Sequence, residues 1–111
     1  MALDYGRLVV VYRKEAKMGL ARAVTFEGVD SQHMADLSKQ IENDPRPEEI
    51  PASEILMLHD EAANTSQVIL FFENEDDYAK GDAALNAMTP DETPGRRTSV
   101  TKYKVAGRMK A

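Results

Sequence analysis

The sequence predicts a single α+β domain ordered βαββαβ, an antiparallel sheet with two helices on one face, and three observations predict it. Short runs of strand-forming residues alternate with two segments of helical periodicity, and loops rich in proline separate them. A chain of 111 residues has room for one core. Its 42% hydrophobic and 30% charged residues are enough to build that core and keep the outside wet.

Residues 20–27, LARAVTFE, are rich in strand formers and close on Gly28, which reads as a strand ending in a turn. Asp30 then offers an N-cap, and Met34, Leu37 and Ile41 recur at spacings of three and four, predicting an amphipathic helix over about 31–43. The segment NDPRPEEIP carries three prolines and is a loop, because proline lacks the amide donor and forces its predecessor out of helical backbone. Residues 53–61 and 66–73 are apolar runs flanking a short polar stretch, so they form a hairpin, although the turn has no glycine to define its type. Asn74 is the next N-cap, with Glu75, Asp76 and Asp77 in the first turn where the helix dipole favours negative charge. Tyr78, Gly81, Leu85 and Met88 mark one face of that helix; a glycine there suggests close approach to the sheet, the alternative being simple weakening. After the loop TPDETPG, the run RRTSVTKYKVAG is the last strand. The order is that of a split βαβ, or ferredoxin-like, arrangement. Residues 20–111 form this domain. Residues 1–19 stand outside the pattern as an N-terminal extension, either an extra strand (LVVVYR) or disordered, with Met18 as a second candidate start.

Composition excludes several functions. No cysteine occurs, which removes disulfides, thiolate nucleophiles and cysteine-ligated metals and fits the reducing cytoplasm. The longest apolar run at the N-terminus, residues 8–12, is far too short for a membrane span. Net charge is −5, but residues 20–95 hold four basic against seventeen acidic side chains, whereas residues 96–111 hold six basic and none acidic. So acidic a body should repel a phosphate backbone, and nucleic acid is not an expected partner. The basic tail alternates with Val100, Tyr103 and Val105 and reads as a charged edge strand.

Pairing the hairpin about its turn sets Asp60 opposite Gln67, Leu58 opposite Ile69 and Leu56 opposite Phe71. One face then carries Leu56, Leu58, Ile69 and Phe71. The other carries Ile55, Met57, His59, Val68, Leu70 and Phe72. Both faces are apolar, yet two helices cover only one. Each fully buried large apolar side chain contributes roughly 1.5–3 kcal/mol, so four or five left wet would forfeit about 6–15 kcal/mol, comparable to the stability of a domain. A second copy packed face to face is the expected cover.

The segments TFEGV, ASEILMLHD, VILFFENEDDY, DAALNAM and TPGRRTSVTKYKV, spanning about residues 20–107, resemble small uncharacterised bacterial proteins of the dimeric α/β-barrel superfamily, the antibiotic-biosynthesis-monooxygenase-like group. The resemblance lies in element order and segment style, without a catalytic signature. It implies a homodimer whose two sheets enclose a cavity, and activities ranging from cofactor-free oxygenation of aromatics through haem degradation, isomerisation and dechlorination to none. The absence of tryptophan departs from some haem-degrading members.

Only two histidines occur, and they lie too far apart in sequence to form a paired metal motif, so neither a metal nor any other cofactor is expected. His33, third in the first helix, is expected on its solvated surface. His59 lies on an otherwise apolar sheet face and is the candidate catalytic residue, the plainer alternative being a strand-end histidine that reaches water or a carboxylate. Arg22 interrupts the apolar face of the first strand and Tyr103 the cationic last strand; with Met57 beside His59, they are the candidate ligand-binding residues. Arg22 paired with Glu54, Glu73 or a partner's acid, and Tyr103 packed on a helix, are the structural alternatives. The first functional expectation is a barrel that binds a small apolar or aromatic molecule. If it is an enzyme, the resemblance implies cofactor-free oxygenation or isomerisation, with His59 as base and Arg22 or Tyr103 polarising an oxygen. The second is a dimerising or regulatory module with a solid core.

Overall fold

The computed structural model describes residues 19–44, 47–89 and 92–109. The expectation of an N-terminal extension over residues 1–19 therefore lies almost wholly outside the described residues. Strand β1 (Leu20–Glu27), helix α1 (Ser31–Asn43), strands β2 (Glu54–Asp60) and β3 (Thr65–Phe72), helix α2 (Glu75–Asn86) and strand β4 (Arg96–Lys104) follow in the expected sequence. The sheet order is β2-β3-β1-β4 with every neighbouring pair antiparallel, an α+β arrangement compatible with a ferredoxin-like fold. No helix among the described residues is long and apolar enough to cross a membrane.

Local chemistry accounts for the boundaries. The carboxylate of Asp30 accepts from the Gln32 amide at 2.9 Å, and the Asn74 side-chain oxygen accepts from the Asp77 amide at 2.8 Å, so both expected caps satisfy otherwise unpaired first-turn donors. The hairpin turn manages without glycine because Asn64 takes the left-handed conformation, φ 57°, which asparagine tolerates better than other side chains. Strand β1 lies between β3 and β4, and it buries residues on both faces, Ala21 on one and Val24 on the other. Strand β4 is the charged edge, exposed at all nine positions.

The hairpin register corrects the expected one by two residues. Leu58 faces Gln67 rather than Ile69, Leu56 faces Ile69 rather than Phe71, and Asp60 faces Thr65. The connection is the four residues 61–64, because Thr65 already belongs to β3, against the six that the expected pairing left between Asp60 and Gln67. Since side chains alternate with a period of two, a two-residue slip leaves both faces with the expected members.

The face carrying Met57, His59, Val68, Leu70 and Phe72 is the one that meets the helices. Helix α2 sits close upon it: a Cβ built on Gly81 would stand 2.5 Å from Phe72 Cε1, so only glycine admits that ring, and Tyr78 meets Phe72 edge-on at 5.4 Å between centroids. Leu70, Phe72, Tyr78, Ile50 and Ala52 form one core. Val24, Phe26, Val29 and Met34 form the second. Helix α1 contributes only Met34 to these cores, and Ile41, two turns further on, remains 43% exposed. The apolar stripe of α1 therefore touches the sheet near its N-terminal end and leaves a space toward its C-terminal end.

Candidate functional site

That space is a cavity of about 690 Å³ between α1 and the helix-facing side of the sheet, continued by the 47–50 and 92–94 loops and the end of α2. Its floor is Val24, Phe26, Met57, Val68 and Leu70, and Leu37 and Met88 close the sides. Ligand sites of small molecules are typically clefts of about 300–1,000 Å³ with apolar walls and a few placed polar groups, and this one falls in that range.

The polar groups are built by convergence of β1, α2 and β4. Arg22 is 2% exposed, an arginine in the middle of an otherwise apolar strand face. Its Nε donates to Asp82 Oδ1 at 2.8 Å and its Nη2 to Asn86 Oδ1 at 3.0 Å. Asp82 and Asn86 are one helical turn apart on α2, so both reach the same point on the sheet, and Asn86 Nδ2 donates back to Asp82 Oδ2 at 3.3 Å. From the edge strand, Arg97 Nη1 donates to the same Asn86 Oδ1 at 2.8 Å. Arg97 reaches the helix side because a bulge in the β1–β4 pairing after Thr25 sets it opposite Phe26. Arg22 is thus paired with an acid as the structural alternative foresaw, but the acid is Asp82 rather than Glu54, Glu73 or a partner's.

His33 also lines the cavity, which corrects its assignment to solvated helix surface. The 92–94 loop folds back over the start of α1, and His33 Nε2 lies 2.7 Å from the Thr93 carbonyl oxygen, so that nitrogen carries the proton and donates.

His59 lies elsewhere. It sits opposite Ser66 at the turn end of the hairpin, beside a separate hollow of about 300 Å³ lined by Leu58, His59, Asp60, Thr65, Ser66 and Gln67. Its Nε2 and the Ser66 Oγ are both buried and hydrogen-bond to no described residue, an uncommon state for interior polar atoms. Tyr103 is opposite Ala21 on the far side of the sheet from the helices and is 55% exposed, so it packs on neither helix. There it shares a face with Leu56, Leu58, Ile69 and Phe71, and Leu58 is 51% exposed. The Arg108 guanidinium stands 4.9 Å from the Phe71 ring centroid.

Of the four residues singled out from sequence, the structure therefore joins Arg22 and Met57 in one cavity, sets His59 in a neighbouring hollow, and places Tyr103 on the opposite face. Asp82, Asn86 and Arg97 were not singled out. The i, i+4 spacing of Asp82 and Asn86 was visible, but nothing in the sequence says that they meet an arginine sixty residues earlier. Among the described residues no group of three or more histidines and acids converges as a metal site. No protein-family model, curated protein or solved structure matches the chain.

Proposed function

We propose that this chain binds a small, largely apolar or aromatic molecule in the cavity between α1 and the sheet. The observation that carries the reading is the combination of a 690 Å³ apolar space with a buried arginine on its wall. A solid-core module would have packed α1 flush on the sheet and left His59 satisfied; the splayed helix, and a His59 Nε2 with no hydrogen-bond partner among the described residues, weigh for binding instead. The proposal includes a second copy of the chain on the open face, where Leu56, Leu58, Ile69 and Phe71 give an apolar surface of the kind that pairs sheets in the dimeric α/β-barrel group that the sequence resembles. If the chain is also a cofactor-free oxygenase or isomerase, as that resemblance implies, the polar groups touching a substrate in the cavity are Arg22, Arg97 and His33, with His59 in the adjoining hollow.

The test is titration with the neutral fluorescent probe N-phenyl-1-naphthylamine. Saturable enhancement at one probe per chain is expected, and Met57→Trp, which fills the floor of the cavity, should abolish it. Absence of saturable binding, or binding unchanged in Met57→Trp, rejects the cavity as the site.

A further inference from the structure

Two arginines converge on one neutral acceptor at the cavity wall. Arg22 Nη2 and Arg97 Nη1 both donate to Asn86 Oδ1, at 3.0 and 2.8 Å, so the two donor nitrogens are less than about 6 Å apart. Asp82 supplies one negative charge to this group, and Asn86 supplies none. The cluster of two guanidiniums and one carboxylate keeps a net positive charge inside a protein whose overall charge is −5. Each guanidinium has five N–H donors. Two donors of Arg22 and one of Arg97 are engaged within the protein; both residues border the cavity, Arg22 almost wholly buried and Arg97 exposed, so it is Arg97 that has donors left for whatever enters.

The remaining charges of the lining limit what that can be. Asp36, Asp44 and Glu92 also border the cavity, from α1, its C-cap and the loop before β4. Asp36 accepts from Gln32 and Glu92 from the Thr89 amide, contacts within their own segments, and none of the three bonds to either arginine. Three acids on the rim repel a multiply charged anion, while two arginines on the wall attract one oxygen acceptor.

We propose that the cavity selects a ligand with an apolar body ending in one oxygen acceptor, a monocarboxylate or a phenol, whose oxygen binds Arg97, with the buried charge of Arg22 behind it. This rests on the binding reading above and narrows it. The two chemical sources share the acceptor oxygen, and the experiment separates them.

Affinities of naphthalene, 2-naphthol, 2-naphthoate and 2-naphthyl phosphate for the full chain, measured by displacement of N-phenyl-1-naphthylamine, provide the test. Naphthol or naphthoate should bind at least about tenfold tighter than naphthalene, the increment of one good hydrogen bond to a charged donor, and the better of the two identifies the head group. The phosphate should bind no better than either. In Arg97→Ala the ratio to naphthalene should fall toward one, and Arg97→Lys, which keeps the charge, should retain part of it. Asn86→Asp, which places the acceptor charge in the protein itself, should also collapse the ratio. Equal affinity for naphthalene, naphthol and naphthoate overturns the selection while leaving the cavity intact as a binding site. So does tighter binding of the phosphate, or a ratio that survives both Arg97→Ala and Asn86→Asp in folded protein. Failure of every compound and of the probe removes the cavity reading and this one together.

Discussion

Arg22 on β1 and Asp82 on α2, sixty residues apart in sequence, are joined Nε to Oδ1 at 2.8 Å, and this ion pair ties the second helix to the central strand. The arginine side chain is 3% exposed and the aspartate 36%, so the pair is asymmetric: one charge has lost its water and the other has kept part of it. Removing the acid should therefore hurt more than removing the base. Asp82→Ala leaves a buried cation without its acid and should lower unfolding free energy by about 1–3 kcal/mol, discounted from the fully buried case for the aspartate's exposure. Arg22→Met fills a similar volume without the charge and should lose less. Urea denaturation of the two variants decides the order, and a reversed order would mean that the cation is not dependent on this acid.

Gly81 and Phe72 provide a second packing prediction. Alanine ordinarily favours a helix interior over glycine by about 1 kcal/mol, so Gly81→Ala would stabilise an unconstrained helix. Here the added methyl would meet Phe72 at Cε1 and Cζ, 2.5 and 2.6 Å away. The ring is 1% exposed and has nowhere to go. Gly81→Ala should destabilise by about 1–3 kcal/mol. Phe72→Leu should relieve it, so the double variant should be more stable than the sum of the single losses predicts, by at least about 0.5 kcal/mol. Strict additivity in thermal or urea unfolding would show that α2 does not bear on the ring.

The same pair shows how far the sequence could be read. Gly81 stood on an apolar helical stripe, which suggested a close approach against the alternative of simple weakening; the caps at Asp30 and Asn74 and the charged edge strand were legible for the same reason, because each depends on neighbours in sequence. The two faces of the hairpin survived a register wrong by two residues, since alternation does not notice an even slip. What could not be read was everything set by how an element leans. The stripe of Met34, Leu37 and Ile41 predicted an amphipathic helix, but only Met34 on it is buried, and the space left along the rest of that face is a matter of tertiary packing that periodicity does not encode. Likewise Arg22 was visibly out of place on its strand, whereas its partners Asp82 and Asn86 lie four connections further along the chain, and Arg97, which shares Asn86, lies five. His33 passed for a surface residue because the Thr93 carbonyl that binds it belongs to a loop sixty residues away.

The open sheet face supports a prediction about mass. Leu56 and Leu58 are 40% and 51% exposed beside Ile69 and Phe71 on strands whose other face is the core. A patch of this kind on a solitary chain is rare unless it meets something. Light scattering should find a species of twice the 12.3 kDa chain mass, and Leu58→Asp should return it to a folded monomer by placing a charge where the two sheets would meet. A wild-type chain that is folded, unaggregated and monomeric would remove the second copy from the proposal.

Alkali should loosen the contact between α2 and β4. The Tyr78 phenol is raised above its ordinary value of 10.0, first by burial and then by the Asp82 carboxylate, both of which oppose a phenolate. The Lys102 ammonium is raised above 10.5, chiefly by its hydrogen bond to Glu75, whose Oε1 it meets at 2.7 Å, and its Nζ also lies 4.7 Å from the centroid of the Tyr78 ring. In both cases the folded chain holds a proton that the unfolded chain releases at lower pH. The stability they contribute is therefore complete below about pH 10 and is lost as pH rises through the raised values. Above about pH 10 melting temperature should fall more steeply in the wild type than in Tyr78→Phe. Phenylalanine keeps the ring that packs on Phe72 and underlies Lys102, so the variant isolates the proton from the packing. Identical slopes in the two proteins would show that the Tyr78 hydroxyl is not part of the alkaline transition.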